Sequence, residues 1–167
     1  DKFMVVSQNS HATEAGYEIL NRGGNAVDAA VAVGFALAVT LPRAGNLGGG
    51  GFMLIYDKVN NKVETIDYRS AAPRSAKSEM FINGESNVVR FGHLVNAVPG
   101  SVAGLIKAHN NHGKLGLAEV MKPAIRLAKN GIPVTHDLHY ALEWSKESLL
   151  ENVTSKNKFY DKEGNPI

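Results

Sequence analysis

Four consecutive glycines followed by two strand-like segments constrain this chain more than any other feature. Gly48 to Gly51 lead directly into Phe52 to Asp57, and a second strand-like run covers Lys62 to Tyr68. Val59-Asn60-Asn61 lies between the two runs and has the composition of a hairpin turn. Because Phe-Met-Leu-Ile-Tyr is apolar on both faces of an alternating strand, it predicts a strand that is covered on both sides.

The second run delivers one cation, Arg69, into a turn of small residues, Ser70-Ala71-Ala72-Pro73. The sequence therefore predicts a charge at the edge of a buried sheet, where a charge without a partner is unfavourable. The residues alone leave two roles open. Arg69 could form a structural ion pair with Asp67 or Glu64, or it could grip a carboxylate through two parallel hydrogen bonds, which the planar guanidinium suits.

The glycine run also has two interpretations. Glycines let another stretch of backbone, or a ligand, approach without a Cβ in the way. A phosphate-binding GxGxxG loop is excluded, because its third glycine would fall at Met53 and because the run leads into a strand and not a helix. Close packing and ligand contact both remain open. Close packing predicts that valine at Gly49 or Gly50 impairs folding.

Composition narrows the functional classes. The chain has 167 residues, 44% of them hydrophobic, and no cysteine. It is long enough for one sizeable core, and it offers no disulfide or thiolate chemistry. The net charge is only +2, with Lys and Arg scattered, which gives no support for a nucleic-acid or membrane-surface partner. The sequence contains no apolar run of the roughly 18 residues that a membrane span requires.

A helix without a polar face is predicted from Ala26 to about Thr40. Asn25 is suited to its N-cap, and Asp28 stands three residues later as a variant of the capping box. Such a helix is expected at the centre of the fold. Residues 152–167 are polar and predict a surface loop or the start of a linker. The other predicted elements are a strand at Phe3–Val6 and helices at Ser10–Arg22, Ser101–His112, Leu117–Lys129 and Thr135–Leu150.

The histidines suggest a metal site only at first sight. His109 and His112 are three residues apart, as are His136 and His139, a spacing that can place two ligands on one helix face. Neither pair has an acidic third ligand at a motif distance. The sequence therefore predicts solvated or capping histidines, with no metal and no cofactor. Thr135 is predicted to cap the last helix.

Several motifs, in order, resemble the γ-glutamyltransferase (γ-glutamyltranspeptidase, glutathione hydrolase) family. They are GGNAVDAAVAVGFAL, GNLGGGGF, DYRSAAP, NAVPGSVAGL and KPAIRLAKNGIPV, and the resemblance extends to about Ser148. It implies the N-terminal part of the large subunit of such an enzyme. The implied fold is α+β, the four-layer αββα sandwich of N-terminal-nucleophile (Ntn) hydrolases. Residues 1–167 would supply only part of that sandwich and would not form an autonomous domain.

The resemblance also implies an activity, which is γ-glutamyl acyl transfer. The family hydrolyses glutathione and other γ-glutamyl amides, or transfers the γ-glutamyl group to amino acids and peptides. Its nucleophile is an N-terminal threonine that autocleavage creates on a small subunit, and this chain has no match to that subunit. The implied catalytic residues therefore lie outside this chain. Arg69 matches the arginine of the family's Asp-Tyr/Phe-Arg-x-x-Ala-Pro motif, which binds the α-carboxylate of the γ-glutamyl substrate.

The resemblance implies partners and a location as well. The partners are the small subunit of the same precursor, glutathione or another γ-glutamyl substrate, and an amino-acid or peptide acceptor. The location is periplasmic or secreted, with a leader already removed. Two alternatives share the fold, a poly-γ-glutamate depolymerase and a cephalosporin acylase, and a third is a non-catalytic scaffold relative. A threonine at a processing junction downstream would favour the enzyme over the scaffold.

Overall fold

The computed structural model describes residues 3–44, 46–83, 87–88 and 95–167. Two helices and two short antiparallel sheets precede residue 101. The elements that follow it are all helices. A 3₁₀ turn lies at Ser78–Phe81. The elements in chain order are α1 (Ser10–Asn21), α2 (Ala26–Thr40), β1 (Phe52–Asp57), β2 (Lys62–Asp67), β3 (Ile82–Asn83), β4 (Asn87–Val88), α3 (Ser101–His112), α4 (Leu117–Asn130), α5 (His136–Trp144), α6 (Lys146–Leu150) and α7 (Val153–Phe159).

The helix α2 lies at the centre of the core, as its sequence predicts. Helices α1, α3 and α4 pack against it. Ile19, Val31 and Val120 are fully buried where these helices meet. An apolar helix of this kind is stable only when its neighbours cover it, because nearly every side it presents to water is hydrophobic.

A buried carboxyl group fixes the start of α2. The side chain of Asn25 accepts the N–H groups of Val27 and Asp28, and Asp28 Oδ2 accepts the Asn25 N–H at 2.9 Å, so the predicted capping box is confirmed. Asp28 is fully buried and also accepts the N–H groups of Lys114, at 3.0 Å, and Leu115, at 3.3 Å. The same side chain therefore ties α2 to the connection between α3 and α4.

The strands β1 and β2 form the predicted hairpin, with Phe52 opposite Asp67 and Asp57 opposite Lys62. Its inner face packs on the core through residues that include Met53 and Ile55. On the other face Phe52, Leu54 and Tyr56 are 68%, 72% and 60% exposed. The prediction that β1 is covered on both sides is therefore wrong for the described part of the chain, because the helices here cover one face only.

The C-terminal region differs from its prediction. The predicted helix Thr135–Leu150 is interrupted at Ser145, which separates α5 from α6. Residues 152–167 lie mostly at the surface, as expected, but they are not simply a loop. Asn152 caps α7 by accepting the Ser155 N–H, and the buried Tyr160 donates its hydroxyl to Leu142 O at 2.6 Å. The Tyr160 hydrogen bond anchors the end of α7, a polar helix that the composition of residues 152–167 did not predict.

Smaller differences concern element ends. Phe3–Val6 is not paired as a strand with any other described residue. The helix α3 has the predicted limits, with Gly100 as its N-cap. Pro123 lies inside the single helix α4, where it is fully buried. The Asn83-Gly84 dipeptide is typical of a turn, and it falls partly outside the described residues. In the described ranges, none of the helices has both the length and the apolar character needed to cross a membrane.

Candidate functional site

Arg69 lies two residues after the end of β2 and is exposed. Its backbone N–H donates to Asp67 Oδ1 at 2.9 Å, so the aspartate fixes the backbone of Arg69. Glu64 lies instead beside His112, with 3.1 Å between Glu64 Oε2 and His112 Nε2. Neither carboxylate that the sequence offered as a structural partner forms an ion pair with Arg69. No ion pair of Arg69 is found with any residue in the described ranges.

Backbone hydrogen bonds continue past the hairpin on both sides of Arg69. Before it, Gly51 N–H donates to Tyr68 O at 3.3 Å and Tyr68 N–H donates to Gly51 O at 3.0 Å. After it, Ala71 and Val98 exchange two bonds of 3.0 and 2.8 Å as an isolated antiparallel bridge. Arg69 is therefore held between two fixed points, and its Cα has little freedom to move.

The glycine run is joined to the start of α3. Gly49 O accepts the N–H groups of Gly100 and Ser101 at 2.9 and 3.0 Å. These are the orphan donors of the first turn, so the bonds satisfy groups that no residue inside α3 can satisfy. The glycine run, the Arg69 turn and the N-terminus of α3 consequently form one hydrogen-bonded unit.

Close packing of the glycine run is confirmed at Gly50. A Cβ placed on Gly50 would lie 2.4 Å from Ser70 N and 2.6 Å from Tyr68 O, distances that no real side chain tolerates. At Gly49 the nearest atom to such a Cβ would be Ser101 Oγ at 3.6 Å, which is an ordinary contact. The lack of room for a Cβ therefore explains why residue 50 is a glycine. Residue 49 has room for a Cβ, so close packing does not explain its glycine.

Tyr68 anchors the residue next to Arg69. Its ring is half-buried against the core, and its hydroxyl lies 3.4 Å from Phe52 O. Burial raises the pKa of the Tyr68 hydroxyl above its ordinary value. The site thus combines an apolar anchor at one position with an exposed cation at the next, which can present a guanidinium to a ligand without moving the backbone.

The predicted roles of the histidines need one correction. His109 is not solvated: its side chain is 10% exposed, with Nε2 2.8 Å from Leu115 O and 3.7 Å from Asp28 Oδ1. His136 and His139 are exposed. Among the described residues, no three histidine, cysteine or acidic side chains are grouped in a way that could hold a metal ion. Thr135 caps α5 as predicted, with Oγ1 accepting the Leu138 N–H at 3.2 Å.

Two apolar cavities are not lined by Arg69 itself, although Tyr68 lines one of them. One of about 620 Å³ lies between Phe3–Val6, α2 and β1, and one of about 570 Å³ lies between α5, Phe159 and the Pro42-Arg43 turn. The second has an ion pair, Arg43 with Asp137 at 2.6 Å, at its rim. Neither brings together the convergent polar groups that a reaction on an amide requires.

Comparison with known proteins gives a consistent assignment. The family described as Gamma-glutamyltranspeptidase matches residues 12–167. The chain is 45% identical to the glutathione hydrolase proenzyme of Escherichia coli over 98% of its own length and 29% of that protein. It is 40% identical to Scoloptoxin SSD14 of Scolopendra dehaani, over 96% of the chain and 28% of that protein. The chain therefore spans less than a third of these relatives.

Solved structures agree with the sequence comparison. The structure of Helicobacter pylori γ-glutamyltranspeptidase superimposes with a TM-score of 0.92 at 38% identity, covering 99% of this chain and 48% of that one. The transpeptidase CapD of Bacillus anthracis gives a TM-score of 0.81 at 33% identity, over 100% of this chain and 52% of that one. The fold is therefore α+β and forms part of an Ntn-hydrolase structure, and the coverage is consistent with the N-terminal part of a large subunit. By sequence and by structure, the chain belongs to the γ-glutamyltranspeptidase family.

Proposed function

We propose that this chain is the N-terminal part of the large subunit of a γ-glutamyltransferase. The whole enzyme would hydrolyse glutathione and other γ-glutamyl amides, or transfer the γ-glutamyl group to amino acids and peptides. The proposal is supported by 45% identity to a glutathione hydrolase proenzyme and by a TM-score of 0.92 to a γ-glutamyltranspeptidase.

One observation about the site carries the proposal. Arg69 has an anchored backbone and an exposed side chain. Asp67 accepts its backbone N–H and Glu64 lies beside His112, so neither carboxylate is paired with the guanidinium. A guanidinium in this setting is ready to bind an external carboxylate through two charge-assisted hydrogen bonds. In the proposed enzyme it holds the α-carboxylate of the γ-glutamyl substrate. It orients the substrate and neither makes nor breaks a bond.

The bond-making groups would come from the small subunit of the same precursor, a partner created by autocleavage. Its N-terminal threonine hydroxyl would attack the γ-carbonyl carbon, and the α-amino group of that threonine would take the proton. Backbone N–H groups would stabilise the oxyanion, and the amine would leave with the proton. Water or an acceptor amine would then attack the γ-glutamyl ester. We propose a periplasmic or secreted location for the assembled enzyme, which would need no cofactor.

A second candidate function rests on structural likeness within the same fold. CapD resembles this chain as described above, and cephalosporin acylase of Bacillus halodurans gives a TM-score of 0.74 at 29% identity, over 90% of this chain and 27% of that one. A poly-γ-glutamate depolymerase or a cephalosporin acylase would reuse the scaffold with a different substrate. A non-catalytic scaffold relative would keep the fold without a processed threonine.

A substrate panel tests the proposal. The full-length precursor is expressed, and its processing is followed on a denaturing gel. The product is then assayed with four substrates: a γ-glutamyl anilide, glutathione, poly-γ-glutamate and a cephalosporin whose acyl side chain ends in a free carboxylate. We expect two subunits and the highest kcat/KM on the two small γ-glutamyl amides. A higher kcat/KM on the polymer or on the cephalosporin would favour the corresponding alternative. An unprocessed, inactive chain would favour the scaffold.

A further inference from the structure

The first turns of α3 pass directly over Tyr68 and Arg69, closer than any side chain would allow. A Cβ placed on Gly104 would lie 2.2 Å from Cγ and 2.3 Å from Cβ of Tyr68. A Cβ placed on Gly100 would lie 2.1 Å from Tyr68 O and 3.1 Å from Arg69 O. Apart from the Tyr68 ring carbon Cγ, the contacted atoms are backbone oxygens and Tyr68 Cβ, which is bonded directly to the backbone. These atoms cannot move away unless the backbone of Tyr68 and Arg69 moves with them.

The glycine run approaches the same two residues from a second element. Gly50 meets the backbone of Tyr68, Arg69 and Ser70, and a Cβ on Gly51 would lie 2.9 Å from Tyr68 Cε2. We call Gly50, Gly51, Gly100 and Gly104 the glycine clasp. Its two halves are themselves connected, because Gly49 O accepts two N–H groups from the start of α3.

Local structure does not explain Gly104. It lies within α3, past the N-cap, and its φ is not positive, so neither capping nor a left-handed conformation requires a glycine. Alanine is the better helix former at such a position, and glycine weakens the helix. The close approach to Tyr68 remains as the physical reason for the missing side chain.

We infer that the four glycines of the clasp are positioning residues that set the location of Arg69, with Gly100 and Gly104 acting from α3, so that the clasp determines how the substrate carboxylate is held. This inference rests on the proposed role of Arg69. The clasp leaves the guanidinium exposed while it fixes the backbone from which that side chain extends. A shift of the Arg69 backbone by about 1 Å would misplace the substrate amide and can cost about 100-fold in rate.

The test uses the full-length processed enzyme and two substrates. One is the L-γ-glutamyl anilide, and the other is the 4-aminobutyryl anilide, which has the same amide and amine but lacks the α-carboxylate. For Gly104→Ala we expect kcat/KM to fall by about 100-fold on the γ-glutamyl anilide, with kcat lowered as well as KM raised, and to stay unchanged on the other substrate. Gly116→Ala is the matched control, since no atom lies within 4 Å of its new Cβ.

The outcomes separate the inference from the proposed function. Arg69→Ala should show the same selective loss. If it reduces kcat/KM equally on both substrates, the proposed role of Arg69 is overturned. If Arg69→Ala is selective but Gly104→Ala is fully active, or affects both substrates equally, only the inference is overturned. Should Gly104→Ala give no processed enzyme, Gly51→Ala decides, because its Cβ would press only on the outer atoms of the Tyr68 ring. A selective loss supports the clasp, and its absence rejects it.

Discussion

Arg69 illustrates how one residue can be fixed and exposed at the same time. Asp67 binds its backbone N–H, Tyr68 anchors the preceding position in the core, and the Ala71–Val98 bridge anchors the following turn. Each restraint acts on the backbone, so the side chain retains its hydrogen-bonding capacity. Such preorganisation lowers the entropy lost when a ligand binds, and it is what a substrate-binding guanidinium requires.

The structure predicts different effects of a side chain at Gly49 and at Gly50, which the sequence alone could not distinguish. Gly50→Ala should impair folding or processing, because its Cβ would meet backbone at 2.4 Å, whereas Gly49→Ala should be tolerated because its Cβ makes ordinary contacts. The measurement is the yield of processed, soluble full-length protein for the two variants. Equal yields for both would show that space around Gly50 does not limit folding.

At the scale of elements, residues within or beside a helix were sufficient to predict that helix. Contacts between residues far apart in the sequence could not be predicted. The limits of α2 and its capping box were predictable because Asn25, Asp28 and Pro42 lie within or beside the helix. The bond from Lys114 N–H to Asp28 joins residues 86 positions apart, and no local pattern encodes it. The approach of Gly104 to Tyr68 also joins residues that are far apart in the sequence, so the sequence identified Arg69 through a motif but not the helix packed against its neighbour.

Asp28 provides a stability prediction. Asp28→Ala would remove the acceptor of three partly buried hydrogen bonds, which the N–H groups of Asn25, Lys114 and Leu115 donate. A hydrogen bond contributes about 0.5–1.5 kcal/mol, so we expect a total loss of roughly 1.5–4.5 kcal/mol. The measurement is thermal or urea unfolding of the full-length protein. Asp28→Asn, which retains one acceptor oxygen, is the control and should lose less. An unchanged midpoint for Asp28→Ala would contradict this account of the junction.

A pH-dependent contact joins α1 to α4. Glu18 lies 2.6 Å from Arg126 and 2.6 Å from Arg22, and the hydrogen bond from Arg126 is the largest cause that lowers the pKa of Glu18 below its ordinary 4.5. A carboxyl group with a lowered folded-state pKa stabilises the protein fully above its unfolded value, and this contribution is lost as the pH falls through the folded-state pKa.

Glu18→Gln should therefore lower the melting temperature at pH 7 and have progressively less effect below about pH 4.5. The effect should be small, because partly exposed pairs contribute roughly 0.2–1 kcal/mol. The measurement is the difference in melting temperature between wild type and variant from pH 7 to pH 3. A difference that stays constant over this range would show that the ion pair does not contribute to stability.

The uncovered sheet face is the main feature at the scale of the whole molecule. Phe52, Leu54 and Tyr56 form an exposed apolar row, because the described residues do not supply the second cover that the apolar strand predicts. A strand that is apolar on both faces indicates two-sided burial without indicating which part of a protein supplies the cover. The relatives are more than three times as long as this chain, which fits a cover from elsewhere.

Residues 1–167 expressed alone should therefore be aggregated or molten. The exposed face of β1 would present hydrophobic surface that the rest of the enzyme would bury. The measurement is dye binding together with a thermal scan of the fragment, with the full-length protein as the control. A sharp, cooperative transition without dye binding would show that the fragment is an autonomous domain.

The central claim, that Arg69 holds the substrate carboxylate, is tested most directly by the kinetics of Arg69→Ala in the full-length processed enzyme. With a γ-glutamyl anilide, we predict a loss in kcat/KM of about 30- to 5,000-fold, equivalent to roughly 2–5 kcal/mol. Arg69→Lys should recover only part, because an ammonium cannot form the two-bond fork. Both variants should still be processed into two subunits, since the substrate takes no part in autocleavage. Near-wild-type kinetics for Arg69→Ala would contradict the substrate role, and failed processing would indicate a structural one.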